Sequence, residues 1–305
     1  GLAALANASS GGQRLFETVA AQLLLHGNAF VQILRSPGGE AAELFALRPD
    51  RVTIVPDARG WPAAFQYRAG DAVETIDAIG TDGRPQIVHI KGYHPLDDHY
   101  GLGCLGAAAE AIGLHNAATR WNRALLDNGA RPSGALVYDP GDGSTLSPEQ
   151  FARLKAELES AYQGPGNSGR PMLLEGGLSW QSMAMSPADM DFAGLKEAAA
   201  RDIALAFGVP PMLLGLPGDN SYANYREANK ALWRLTLLPL VSTICEALSE
   251  GLADWFPAAA LTVAVDRVPA LSEDRERLWT SVTAADFLSR EEKRELLGLT
   301  AKEAA

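Results

Sequence analysis

The chain has 305 residues, 47% of them apolar, enough for one large domain or two medium ones with real cores. Acidic residues outnumber basic ones, 37 to 26, for a formal charge of −11. That balance argues against a protein that grips nucleic acid by neutralising phosphates, though not against one that lets it slide past. The two cysteines, Cys104 and Cys245, exclude a zinc ribbon or a thioredoxin-type site and read as small buried hydrophobes in helical patterns.

The Gly/Ala/Ser-rich stretch 1–12 lacks the basic and apolar regions of a signal peptide, and without an initial Met the sequence reads as trimmed at its start. Leu15, Val19 and Leu23 recur at helical spacing and predict a helix from Leu15 to Leu25, broken by His26-Gly27-Asn28. Short strands are expected at Ala29 to Leu34, Ala42 to Leu47, Val52 to Val55, Ala64 to Tyr67 and Ile87 to Ile90. Gly-, Pro- and Asp-rich turns separate them, which is the pattern of an antiparallel unit. An alanine-rich helix follows from Leu102 to about Asn128, ended by Asn128-Gly129.

Between that helix and the next lies a β-α-β-β insertion. Its strands are predicted at Ala135 to Tyr138, Pro171 to Leu174 and Leu178 to Met183. Its helix opens with Ser147-Pro148-Glu149-Gln150, where Ser caps, Pro needs no N–H, and Gln150 closes a capping box. A second helix is expected from Ser186-Pro187 to Phe207. Then comes a break, Phe207 to Asn224, with three prolines, three glycines and one charged residue, Asp219. Asn224-Tyr225-Arg226-Glu227 reads as a capping box opening an apolar helix on the order of 40 Å long. Pro239 inside it lacks an N–H and would clash with the carbonyl of Leu235, so a kink is expected there. Arg234, Pro239 and Glu246 argue against a membrane span. A strand from Leu261 to Val265 and two capped helices opening near Ser272 and Ser289 complete the chain, and the fold class is α+β.

Chemistry is sparse. Neither a P-loop nor a GxSxG elbow occurs, so an ATP-driven motor and an α/β-hydrolase have no motif here. His89, His94, Asp97, Asp98 and His99 form the one metal-like cluster. Its spacing fits no standard ligand set, so it reads as a solvated connector, and no metal or cofactor is expected. The six tryptophans are scattered and read as core or interface anchors, not a base-stacking platform.

Taken in order, Leu25-His26-Gly27-Asn28-Ala29-Phe30-Val31-Gln32-Ile33-Leu34, Leu47-Arg48-Pro49-Asp50-Arg51-Val52, Asn128-Gly129-Ala130-Arg131-Pro132-Ser133-Gly134, Ile203-Ala204-Leu205-Ala206-Phe207-Gly208-Val209-Pro210-Pro211 and Ser221-Tyr222-Ala223-Asn224 resemble a tailed-bacteriophage portal protein of the long-tailed phage or gene transfer agent type. The usual Asn-Glu pair near the C-terminus appears instead as Arg290-Glu291. The resemblance implies a ring, usually of twelve subunits. Its parts would be a strand-rich wing at 1–101, stem helices at 102–130 and 186–207, and a clip at 131–185. A tunnel loop at 208–223, a long kinked helix at 224–253, and a wing return with the start of a crown at 254–305 would complete it.

The same resemblance implies a head-tail connector at the capsid vertex of a virion or gene transfer agent particle, assembled in the bacterial cytoplasm and not in a membrane. Double-stranded DNA would pass through it non-specifically during packaging and ejection. Its other partners would be the major capsid protein, the large terminase and a head-tail adaptor. Pro217, Gly218, Asp219, Asn220, Ser221 and Tyr222 would face the channel, and Arg131, Arg153, Lys155 and Arg170 of the clip would meet neighbours or partners. No catalytic residue is expected. The alternatives are a non-ring structural adaptor, or an enzyme with no recognisable motif.

Overall fold

A computed structural model describes residues 9–10, 13–127, 134–162, 174, 176–182, 191–216 and 222–298. The chain divides into two compact units: residues 1–107 with 204–305, and residues 108–203.

The first unit is built around strand β1 (Asn28–Arg35), which follows helix α1 (Leu15–His26) after a single residue, Gly27. β1 pairs antiparallel with β2 (Ala41–Leu47) on one side and with β6 (Ile87–Lys91) on the other. A second antiparallel sheet runs β3 (Val52–Pro56), β4 (Pro62–Ala69), β5 (Ala72–Asp77). β5 has no counterpart in the sequence reading, because Glu74 and Asp77 interrupt an otherwise strand-like run.

Successive residues of β1 point to opposite faces, and both faces are buried. Ala29, Val31 and Ile33 join Leu15 and Val19 of α1 and Ile244, Leu248 and Leu252, in and just beyond helix α6 (Leu238–Gly251). Phe30 turns the other way, to Val52, Ile54, Phe65 and Ile76 of the second sheet. One strand thus holds two cores, one against helices and one against a sheet. Gly251 lets α6 lie close on β6, since a Cβ there would press into the side chain of Val88.

The segment Leu261 to Val265 is not a strand. The N–H of Leu261 donates to Ser249 Oγ at 2.7 Å, and Val265–Arg267 forms a 3-10 turn, so the run is tied to the end of α6 and not to a sheet. Helices α7 (Ser272–Ala284) and α8 (Arg290–Leu296) follow. Ser289 and Glu292 cap α8 reciprocally, as expected. Ser272 does not cap α7; its hydroxyl donates to the carbonyl of Pro269.

The second unit contains most of helix α2 (Cys104–Asp127), strand β7 (Gly134–Tyr138), helix α3 (Pro148–Tyr162), strand β8 (Leu178–Ser182) and most of helix α4 (Phe192–Ala206). β7 and β8 pair antiparallel. The Ser147–Gln150 capping box forms in both directions. The rings of Trp121 and Phe192 stack at 6.1 Å. Of the expected strand Pro171 to Leu174, only Leu174 is among the described residues, and it is not in a strand. Asn128-Gly129 and Ser186-Pro187 lie outside them. Cys245 is buried as expected, whereas Cys104 is only half-buried.

Candidate functional site

Two pieces of local construction fix the chain where the long helices start and stop. The first lies at the root of α2. Gly27 ends α1 with φ 71°, and its N–H bonds back to Leu23. The carbonyl of Gly27 then accepts from the N–H of Gly92 at 2.8 Å. Gly101 and Gly103 run against the same backbone so closely that a Cβ on Gly101 would lie 2.6 Å from Gly92 N. Glycine is required there by space.

Asn28 occupies the centre of this crossing and is buried. Its Nδ2 donates to the carbonyls of His26 (2.9 Å) and Gly101 (3.0 Å), while its Oδ1 accepts from the N–H of Gly101 (2.8 Å) and from His89 Nε2 (3.1 Å). The backbone partners set the amide's orientation, because carbonyls need a donor and an N–H needs an acceptor. His89 must therefore carry its proton on Nε2. Its ring stacks on Phe30 at 4.3 Å, and burial, with Lys91 and His99 nearby, lowers its pKa to about 4.

His94 and Asp97 of the metal-like cluster are used locally. His94 Nδ1 accepts from the N–H of Leu96, and Asp97 Oδ1 accepts from the N–H groups of His99 and Tyr100. Among the described residues no group of three His, Cys, Asp or Glu is placed to hold a metal.

The second construction lies at the root of the proline-rich break. Helix α4 ends in a Schellman motif: Val209 N–H bonds Ala204 O at 2.8 Å, Gly208 N–H bonds Leu205 O at 2.9 Å, and Gly208 has φ 65°. Pro210 then prevents continuation, and Pro211–Leu214 makes a 3-10 turn closed by Gly215. Across from it, the long helix consists of α5 (Tyr222–Leu232), a π-helical turn (Trp233–Leu237) and α6. The hydroxyl of Thr236, inside the π turn, donates to Gly208 O at 2.6 Å. In that turn Leu238 N–H bonds Trp233 O, five residues back. Pro239 sits in the first turn of α6, where no N–H is needed. A widened turn thus lies just before Pro239, in the stretch where the kink is expected. Because α5 already starts at Tyr222, Asn224 lies inside the helix and not at its cap.

Charges lock α5 to α7. Buried Lys230 reaches Glu227 (3.4 Å), Glu273 (3.4 Å) and Asp274 (3.3 Å), and Arg226 and Arg234 add bonds to Glu273 and Asp274. Burial works against the Lys230 ammonium, but Asp274 and Glu227 outweigh it and its pKa rises. Glu273 and Asp274 also occupy the first turn of α7, where the helix dipole favours anions.

Of the residues singled out from sequence, Pro217, Gly218, Asp219, Asn220, Ser221, Arg131 and Arg170 lie outside the described residues. Tyr222 is the first residue of α5. Arg153 and Lys155 are exposed on α3. Asn28, Gly101, Thr236 and Lys230 were not singled out for a role. The paired glycines Gly27 and Gly101-Leu102-Gly103 beside an Asn, and the Glu227/Lys230 spacing, were the available signals.

The phage portal protein family matches residues 2–298. A Rickettsia felis protein is 43% identical over 296 residues, which cover 96% of this chain and 75% of that one. The probable portal protein of Streptomyces phage phiC31 is 33% identical over 228 residues, covering 73% of this chain and 48% of the phage protein. A chain in the structure titled "Neck of native GTA particle computed with C12 symmetry" is 49% identical with a TM-score of 0.73, covering 98% of this chain and 84% of that one. The fold, the order of its motifs and a match spanning nearly the whole sequence agree, and the chain belongs to the phage portal protein family.

Proposed function

We propose that this chain is one subunit of a ring-shaped head-tail connector, a dodecamer at the vertex of a gene transfer agent or phage-like particle, through which double-stranded DNA enters and leaves. The observation that carries this is the 49% identity, over 98% of the chain, to a protein of a neck with twelve-fold symmetry. The role is structural. The large terminase and a head-tail adaptor would dock on the clip, with exposed Arg153 and Lys155 on its helix available to them, and the major capsid protein would surround the ring. The loop 208–223, with no Lys or Arg and one acidic residue, would line the channel without gripping phosphates. Native mass measurement and electron microscopy of the purified chain test the proposal. A closed ring with a central hole is expected; a monomer or dimer under all assembly conditions would overturn it.

A further inference from the structure

We propose that the leucines around the root of the loop, Leu205, Leu214 and Leu235, form part of the seam on which a second copy of this chain docks. The inference rests on the ring reading above. The helix from Asn224 to Gly251 is long and apolar enough to cross a membrane, yet only 17% of its most apolar 18-residue window is buried. Its burial is concentrated at the far end, at Ile244, Cys245 and Leu248. Toward the loop, Leu235 is 77% exposed, Leu205 62% and Leu214 49%. Water around that much leucine is unfavourable, and exposed apolar residues gathered from several elements mark an interaction surface.

These leucines are held ready. Leu235 directly precedes Thr236, whose hydroxyl bonds Gly208 O, and Leu205 accepts the Gly208 N–H in the Schellman motif. Leu214 ends the 3-10 turn that follows. A preorganised surface loses little entropy on docking. The nearby cations Arg226, Lys230 and Arg234 are matched by Glu227, Glu273 and Asp274 of the same chain, so they leave no unpaired charge for a partner to desolvate.

A second copy fits better than lipid. The far half of the same helix packs one face, Ile244 and Leu248, into the protein core, and the charged Arg234 directly precedes Leu235. In a cyclic ring the contacts are head-to-tail, so these leucines would meet a different surface of the next copy.

The test uses the full chain and Leu235→Glu and Leu205→Glu variants. Native mass spectrometry should show rings for the wild type and folded monomers for the variants, with folding checked by circular dichroism and a cooperative melt. A folded Leu235→Glu chain that closes rings at wild-type concentrations would overturn the seam while leaving the ring reading intact. A wild-type chain that never assembles would overturn both. A photo-crosslinking benzoyl-phenylalanine in place of Leu235 gives a readout that needs no loss of assembly: a ladder of crosslinked copies is expected, and assembled rings without one would overturn the seam. Flotation of the wild type with neutral phosphatidylcholine vesicles, abolished by Leu235→Glu, would also overturn it in favour of lipid.

Discussion

Asn28 uses both ends of its carboxamide, and each of its partners belongs to a chain segment that must stay in register. Asn28→Asp removes both donors and puts a carboxylate where two carbonyls point, so a loss of roughly 3 kcal/mol or more is expected, against about 2 kcal/mol for Asn28→Ala. Urea denaturation of the three chains checks the order. His89 adds a pH dependence with a definite sign. Its folded pKa, lowered to about 4, lies below the ordinary value of 6.5. Above pH 6.5 the ring is neutral in both states and contributes nothing. Between 6.5 and 4 the unfolded chain takes up a proton that the folded one refuses, so stability falls as pH falls, by at most about 3 kcal/mol, and levels off below pH 4. His89→Gln keeps a donor for Asn28 Oδ1 without the titration. The stability gap between wild type and variant should therefore shift toward the variant as pH drops from 7 to 4.5. A gap that stays constant with pH would show that His89 is not held neutral.

At the scale of elements, the loop root depends on the π turn. Thr236→Val keeps shape and loses the hydroxyl that holds Gly208 O, so about 1 kcal/mol of stability should go. Amide hydrogen exchange should quicken at Val209 and Leu213 while the β1–β2 amides stay protected. Unchanged exchange across 207–216 would mean that the root is held by the Schellman motif alone. The sequence made much of this legible. Helical spacing located α1 and α2, and Pro/Gly punctuation located the end of α4 and the break after it. The π turn was not legible, because Pro239 announces a missing N–H without saying how the turn before it is bonded. The Leu261 to Val265 run has strand composition, but Ser249 captures its first N–H, and that contact is set by tertiary structure. β5 was missed for the opposite reason, its acidic residues masking a strand that pairs along one edge only. Asn28 could be seen beside its glycines, but its four bonds span up to 73 residues of sequence separation, beyond any local pattern.

On the proposed reading, in which residues 208–223 line the channel of a ring, the decisive property is what the loop lacks. Residues 208–223 carry Asp219 and no Lys or Arg. In a twelve-fold ring one substitution is repeated in every subunit, so Asp219→Arg would replace a ring of anions with a ring of cations beside the duplex. Each retained Arg–phosphate contact releases counterions and steepens the salt dependence of binding by roughly one power of salt concentration. Several such contacts would turn a passive wall into a clamp. Asp219→Asn removes charge without adding a grip. If the loop lines the channel, Asp219→Asn should package DNA much as the wild type does, while Asp219→Arg should assemble rings normally, judged by electron microscopy, yet yield several-fold fewer DNA-filled particles. Slower packaging by Asp219→Arg in a reconstituted assay, relieved by added salt, would trace the defect to phosphate contacts. Normal packaging by Asp219→Arg would remove the loop from the channel wall and leave Leu205, Leu214 and Leu235 at its root with an assembly role alone.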